Sequence, residues 1–249
     1  MNIEDFKAGK LVQQYDYKSF SPVHVSREWI ASDHSLNSLL SLANRKLGEL
    51  NAFSQLIPDV DFSIMMHMTK KTTKSSRIES MQTSTEEAFI EEENVLPERR
   101  DDWKEVQKYI TAMNKAIKER NKPHYYDNLT VVCTHNNLTQ WIRFFLAGVL
   151  ETATNSINTF HKIIALKDEI ESEELLTLGQ KQVRAIQMIN ELYSRPITTA
   201  TRIGDDLDVS PATTNRFISD FINLSILKKG TGYKRNRIFI FEEYLNLFN

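Results

Sequence analysis

Apolar residues recur at spacings of three and four along several long stretches of this chain, and residues that break helices are scarce. Only seven glycines and six prolines occur among the 249 residues. Spacings of three and four place side chains on one face of an α-helix, whereas strict alternation would indicate a strand. The scarcity of glycine also argues against an all-β fold and against a Gly-rich phosphate loop. The sequence therefore predicts a mainly α-helical protein.

Composition is typical of a globular protein of a reducing compartment. Apolar residues make up 41% of the chain, which supports a sizeable core and argues against disorder. A single cysteine, Cys133, excludes a disulfide framework. The N-terminus is charged and has no secretory segment, and the longest apolar run, Phe144–Leu150, is too short to span a bilayer. We therefore expect a cytoplasmic protein with no membrane partner.

Four helices are predicted in the first 175 residues. The first begins after Asp33 and ends before Pro58, because its apolar residues keep helical spacing throughout. Three more are expected over residues 64–74, from Asp101 to about residue 118, and from Leu138 to about Glu174. The inward residues of these three are predicted to be Ile64, Met65 and Met68; Trp103, Val106, Ile110, Met113 and Ile117; and Leu138, Trp141, Ile142, Phe145 and Val149.

The order of elements changes near Leu178–Gln180, where a smaller C-terminal domain over residues 178–249 is predicted to begin. Ser210 is a good N-cap, and Pro211 suits the first position of a helix. Two helices joined by a short turn and followed by a basic hairpin are the pattern of a winged helix-turn-helix domain. The expected elements are a helix with Val183, Ile186, Ile189 and Leu192 inward, a second helix starting at Pro196–Thr199, a third over Ala212–Leu224, and strands Ile226–Lys229 and Arg237–Phe241.

Two groups of residues in this domain are candidates for contact with nucleic acid. A basic hairpin can follow phosphates, and polar side chains of a helix can reach base edges or the DNA backbone. Residues 178–249 hold ten basic and seven acidic residues, a mild positive excess. Because winged helices also serve as protein-contact domains, DNA and a partner protein both stay open as partners. The candidate residues are Thr213, Thr214, Asn215 and Arg216 on the third helix, and Lys228, Lys229, Lys234, Arg235 and Arg237 in the hairpin.

Several separate segments of the chain resemble the Fic family. Many Fic proteins also carry a C-terminal winged helix, so the likeness covers most of the chain. It implies an all-helical domain from a family whose enzymes mostly transfer AMP from ATP, with Mg²⁺, to a hydroxyl of a target protein. The segments that carry the resemblance are Lys46–Phe53, Leu56–Asp59, Lys74–Ser80, Arg100–Trp103, Tyr109–Asn114, Tyr125–Leu129 and Trp141–Leu146.

The family's catalytic loop, His-Pro-Phe-x-Asp/Glu-Gly-Asn-Gly-Arg, is absent from this sequence. None of the six histidines is followed by Pro-Phe, and Gly-Asn-Gly does not occur. Only seven residues, Lys118–His124, separate the two flanks that the resemblance identifies, so residues 1–118 would join directly to residues 124–177 in one Fic-like region, 1–177. We therefore expect a helical remnant of the Fic bundle with no catalytic residue, no metal ligand and no cofactor of its own.

Two alternative functions stay open beside an inactive, DNA- or partner-binding role. In the first, Ser75 and Glu79 match the Ser/Thr-x-x-x-Glu inhibitory helix of the family, and this chain would inhibit an intact Fic enzyme in trans. In the second, a residual adenylyltransferase would use His124 and Asp127. The missing core helices would also expose Trp141, Phe144 and Phe145, which makes self-association a further expectation.

Overall fold

The architecture was analysed in a computed structural model that is mainly helical, as the sequence predicts. It describes residues 1–26, 28–76, 89–90, 92, 95, 99–101, 103–104, 106–108, 111, 130–230 and 237–248, with backbone only for Met68, Lys70 and residues 71–76. The helices are α1 His34–Ser54, α2 Val60–Ser76, α3 Leu138–Glu169, α4 Gln182–Ser194, α5 Ala200–Leu207, α6 Pro211–Asn223 and α7 Glu242–Asn246. The strands are β1 Gly9–Gln13, β2 Lys18–Pro22, β3 Ile197–Thr199, β4 Lys228–Lys229 and β5 Ile238–Ile240.

The chain forms two compact units, each built from two segments. One consists of Met1–Phe53 with Glu119–Asn158, and the other of Ser54–Lys118 with Thr159–Asn249. The sequence-based division into residues 1–177 and 178–249 is a different partition and stays a prediction. No helix in the described ranges has the length and apolar character needed to cross a bilayer.

The first unit opens with a β-hairpin that the sequence analysis did not predict. Strands β1 and β2 pair antiparallel, with Leu11 opposite Phe20. Gly9 lies so close to β2 that a Cβ atom there would meet the Ser21 carbonyl oxygen at 2.2 Å, so only glycine fits. The Asn136 side chain accepts a hydrogen bond from the Ala8 backbone N–H at 2.8 Å, which ties the base of the hairpin to a distant part of the same unit.

The core of the first unit joins its two segments. Phe6 packs edge-on against Trp29 with ring centroids 5.5 Å apart. On α3, Trp141 is half-buried and stacks on Phe145 at 5.5 Å. Phe145 was predicted to face inward, but it is 45% exposed. The neighbouring Phe144 is 43% exposed. The buried residues of this core are Ile3, Phe6, Ala8, Leu36, Ala43, Val132, Leu138 and Leu146.

Helix α1 begins where the sequence predicts, because Asp33 caps it. The Asp33 carboxylate accepts hydrogen bonds from the Ser35 hydroxyl at 2.7 Å and from the Ser35 backbone N–H at 2.9 Å. The Arg143 guanidinium on α3 pairs with the same carboxylate and donates to the Ser35 hydroxyl at 2.6 Å. The Ser35 hydroxyl first, and then the Ser35 N–H and Arg143, lower the pKa of Asp33 to about 2.

The buried face of α2 differs from the predicted one. Ile64 is 52% exposed and Met65 is also exposed, whereas Phe62 and Met66 are buried. Phe62 stacks on Tyr244 of α7 with ring centroids 5.6 Å apart. The helix is thus rotated toward aromatic rings of α7, a contact that the helical spacing of α2 alone cannot reveal. In the third predicted helix Val106 is fully buried, while Ile110, Met113 and Ile117 lie outside the described residues.

Helix α3 continues to Glu169, and a π-helical turn carries the helical path to Glu174, which confirms the predicted end. A 3₁₀ segment, Leu175–Lys181, follows and contains Gly179 at φ 55° and ψ −121°. That conformation favours glycine and redirects the chain into α4. The change of organisation predicted near Leu178–Gln180 therefore coincides with a real bend of the backbone.

Residues 182–246 form helices α4 to α7 and a three-stranded antiparallel sheet in the order β3-β5-β4. Thr198 pairs with Phe239, and Lys229 also pairs with Phe239 from the other side. The prediction that Pro196–Thr199 starts a helix is wrong at Ile197–Thr199, which form β3 before α5 begins at Ala200. Val183 is 71% exposed rather than inward, because α4 buries Ala185 and Met188 together with Ile189 and Leu192.

Helices α5 and α6 pack closely across a short turn. Asp208 ends α5 in the left-handed conformation at φ 48°, and Ser210 caps α6 by accepting from the Thr213 backbone N–H. Gly204 faces Thr214, and a Cβ atom at residue 204 would lie 2.9 Å from the Thr214 Oγ1 atom. Thr214 is 1% exposed and its hydroxyl donates to the Ser210 carbonyl at 3.1 Å. The turn therefore depends on a small residue at position 204.

The charge on Asp33 should stabilise the fold in a pH-dependent way. Its pKa is lower in the folded chain than in the unfolded chain, so this stabilisation is present above about pH 4 and is lost as pH falls toward 2. Asp33→Asn keeps a capping oxygen and removes the charge. We expect its melting temperature to lie below that of the unmodified chain at pH 7, with the difference closing on acidification. A difference that stays constant from pH 7 to pH 2 would contradict this assignment.

Gly204→Ala should destabilise the chain even though alanine is the better helix former. Overpacking against Thr214 costs about 1–3 kcal/mol, which exceeds the gain of about 1 kcal/mol from helix propensity. In a Thr214→Ala background the clash disappears, so the same substitution should become neutral or stabilising. Urea unfolding of the four proteins of this cycle measures the difference. Equal effects of Gly204→Ala in both backgrounds would show that the two helices do not meet at these residues.

Candidate nucleic-acid interface

The exposed surface of α6 starts at its capped N-terminus. Ser210 and Thr213 form the cap, and their hydroxyl oxygens lie 3.0 Å apart. Asn215 is exposed, and its side-chain amide donates to the Pro211 carbonyl at 2.9 Å, which orients it along the helix. Arg216 is also exposed. The first two turns of α6 thus present polar groups and one cation to solvent.

Thr214, a sequence-based candidate for contact with nucleic acid, does not belong to that surface. Its side chain is buried against Gly204, and its hydroxyl is already bonded to the Ser210 carbonyl. A side chain in this position cannot reach a base edge or a phosphate. We therefore remove Thr214 from the candidate set and retain Thr213, Asn215 and Arg216.

The second part of the candidate interface is the segment around β4 and β5. Lys228, Lys229 and Arg237 are exposed there. The Gly230 backbone N–H donates to the Ile238 carbonyl at 2.8 Å, which extends the pairing of the two strands by one bond. Lys234 and Arg235, also predicted candidates, lie outside the described residues.

Several of the charged side chains in this part of the chain are neutralised by ion pairs. The Lys181 ammonium lies 2.6 Å from the Asp220 carboxylate of α6, and Lys228 pairs with Glu242. Asp206 of α5 is held between Arg195 at 3.4 Å and Arg202 at 3.3 Å. The structure pairs none of Arg216, Lys229 and Arg237 with a carboxylate of a described residue. These three cations are therefore available to an anionic partner.

Most of these pairs could not be found in the sequence. Arg202 and Asp206 are four residues apart on one helix, a spacing that predicts a pair. Lys181 and Asp220 are 39 positions apart, and Lys228 and Glu242 are 14 apart, so only the fold brings them together. The amino-acid sequence gives the number of acids but not which of them are neutralised by a nearby cation.

The residues of the alternative functions are not assembled in the described part of the chain. Ser75 lies near the end of α2, where only the backbone is described, and Glu79 lies outside the described residues. His124 and Asp127 also lie outside them. Within the described ranges, no three metal-ligating side chains are grouped so that they could hold an ion.

Described cavities are small or open. One of about 20 Å³ lies between β3 and α5 and is lined by Arg195, Thr198 and Arg202 among others. An open groove of about 510 Å³ runs along one side of α1, where Arg45 is the single cation and no acid or glycine takes part. Burial raises the pKa of Tyr193 and Tyr244, whose ring centroids lie 5.2 Å apart. Both side chains belong to the core and line neither of these two cavities.

The N-terminal part of the chain matches a known protein family model. Residues 37–118, about a third of the chain, match the family model described as Fic/DOC family N-terminal. No curated protein matches the chain. The matched segment contains α1 and α2 and covers several of the motifs on which the resemblance was based. Over these residues the chain is similar to the N-terminal region of Fic/DOC family proteins.

Proposed function

We propose that this chain is a Fic-related binding protein that contacts DNA through a C-terminal winged helix-turn-helix domain and does not transfer AMP. The order of elements supports the proposal, since helix, strand, two helices and two further strands follow one another from α4 to β5. The strand order β3-β5-β4 and the capped turn between α5 and α6 fit the same fold. In this assignment α6 is the recognition helix, and the wing is the hairpin formed by β4 and β5.

The main support for the proposal is that three cations are exposed and are paired with no carboxylate of a described residue. Arg216 is exposed on α6, Lys229 is exposed on β4, and Arg237 is exposed directly before β5. Asp220 of α6 and Glu242 of α7 are already paired with other lysines. Exposed cations on a recognition helix and a wing suit the phosphate backbone, which supplies most of the affinity of DNA-binding proteins.

The residues present do not fit the ATP and Mg²⁺ that the resemblance implies. The sequence lacks the His-Pro-Phe and Gly-Asn-Gly parts of the loop, which supply the base and the phosphate cradle. The small cavity beside β3 is far below the ~300 Å³ typical of ligand pockets. The groove along α1 offers neither an acid for Mg²⁺ nor backbone N–H groups of a glycine loop. A catalytic step through ATP is therefore not part of the proposed function.

Inhibition of an intact Fic enzyme in trans by Ser75 and Glu79 stays a prediction, as does residual transfer by His124 and Asp127. The proposal favours DNA because Arg216, Lys229 and Arg237 are exposed and are paired with no carboxylate of a described residue.

Binding to a mixed-sequence DNA duplex should weaken steeply as salt rises, because bound phosphates release counterions. Replacing Arg216, Lys229 and Arg237 together with glutamine should reduce the slope of log K against log salt by about 0.9 for each lost phosphate contact. Fluorescence anisotropy between 50 and 200 mM salt measures both values. A second variant that neutralises Lys234 and Arg235 should weaken binding further.

The matched control removes three lysines, Lys7, Lys10 and Lys18, which are exposed near the N-terminal hairpin. It changes the net charge by the same amount, so it should leave the salt slope nearly unchanged. A salt-independent affinity of the unmodified chain, or equal losses in the two triple variants, would contradict DNA binding through this surface.

Incubation with labelled ATP, Mg²⁺ and a cell lysate should produce no labelled protein that depends on this chain. The physical reason is that the base and the phosphate cradle are both missing from the sequence. The control is an intact Fic enzyme in the same lysate. Chain-dependent labelling that is lost in His124→Ala would overturn the proposed inactivity and support the residual enzyme.

A further inference from the structure

Arg216 and Asp220 stand four residues apart on α6, yet they are not paired with each other. Side chains at this spacing are neighbours on a helix, with Cβ atoms about 5–6 Å apart, and opposite charges there attract. The structure instead joins the Asp220 carboxylate to Lys181, with the ammonium nitrogen 2.6 Å from the Oδ2 atom. Asp220 is thus paired with a lysine 39 positions away rather than with the arginine on its own helix.

The chain geometry before α4 brings Lys181 to this position. Lys181 is the last residue of the 3₁₀ segment, two residues after the bend at Gly179. The Asp220 side chain is only 22% exposed, so its pair with Lys181 is screened by water less than a fully exposed pair. Because the Asp220 carboxylate is already paired with Lys181, a second ion pair with Arg216 would stabilise it less.

We propose that Lys181 is a positioning residue of the interface, which keeps the Asp220 carboxylate away from Arg216 and so leaves the Arg216 guanidinium open to a DNA phosphate. The inference rests on the proposed DNA-binding function for its consequence, but the ion-pair exchange itself does not need DNA. Without Lys181, Asp220 becomes an unneutralised acid beside Arg216. It then competes with phosphate for the Arg216 guanidinium.

Lys181→Met should weaken duplex binding about threefold at 50 mM salt and lower the salt slope by about 0.9, as expected when one phosphate contact is lost. Adding Asp220→Asn should restore both values, because the net charge and the freedom of Arg216 are then restored. In an Arg216→Gln background, Lys181→Met should have no effect beyond that of the control. The control is Lys167→Met, which breaks a similar lysine–carboxylate pair with Glu171 at 3.5 Å on another helix.

Failure of Asp220→Asn to restore binding, or an equal effect of Lys181→Met with and without Arg216, would overturn the inference. Either result would assign Lys181 a direct phosphate contact instead. The positioning role is supported if Asp220→Asn restores the duplex affinity of Lys181→Met and if Lys167→Met keeps the affinity of the unmodified chain. A general charge effect would instead lower the affinity of both lysine variants equally.

A second readout separates this inference from the proposed function. The Arg216 side-chain Nε–H signal in a nitrogen–proton correlation spectrum reports whether the guanidinium is paired. Without any DNA, the signal should shift in Lys181→Met and return toward its original position when Asp220→Asn is added. An unchanged signal in Lys181→Met refutes the ion-pair exchange even if the chain binds DNA. A shifted signal in a chain that shows no duplex binding refutes the proposed function alone.

Discussion

Aromatic packing around Tyr244 sets the geometry of the C-terminal part of the chain. The Tyr244 ring meets Tyr193 of α4 at 5.2 Å and Phe241 at 5.4 Å, and it stacks on Phe62 of α2 at 5.6 Å. Tyr193, Phe241 and Tyr244 are fully buried, so each pair contributes about 0.5–1.5 kcal/mol beyond the area it removes from water. The cluster fixes the end of β5 against α4, and β5 in turn carries β3 and β4.

The packing of that core determines which charged side chains are exposed on the candidate interface. Because β5 is the central strand, its pairing with β4 places Lys228 and Lys229 beside the residues that precede α7. Glu242, the first residue of α7, then pairs with Lys228, and no carboxylate of a described residue pairs with Lys229. On α6, burial of Phe217, Ile218 and Phe221 turns Asn215 and Arg216 to solvent. The candidate interface is therefore a consequence of how the apolar residues pack, not of a large net charge.

Local signals in the sequence predicted the helices and their caps well. Helix α1 starts at its Asp33 cap, and α6 starts at Ser210 and Pro211, because capping depends on residues within one turn. The change of organisation near Gly179 was also predicted, and it coincides with a backbone conformation that favours glycine. These features are encoded within a few residues of where they occur.

Features that depend on distant partners were missed. The N-terminal hairpin relies on the close approach at Gly9 and on a bond between Ala8 and Asn136, and neither leaves a local pattern. Thr198 forms a strand because it pairs with Phe239. Thr214 is polar but buried because Gly204 lets the helices approach closely. The Fic resemblance found the relationship that the family match supports, but it gave no information about the ion pairs that expose Arg216.

Chemical-shift mapping of the backbone amides on addition of a short DNA duplex tests the central claim most directly, because it locates the contact without substitutions. The account predicts that perturbations concentrate at the N-terminal half of α6, at β4 and near Arg237, and that α1 and the N-terminal hairpin stay unchanged. Perturbations confined to α1 or to the hairpin, or none at saturating duplex, would contradict it.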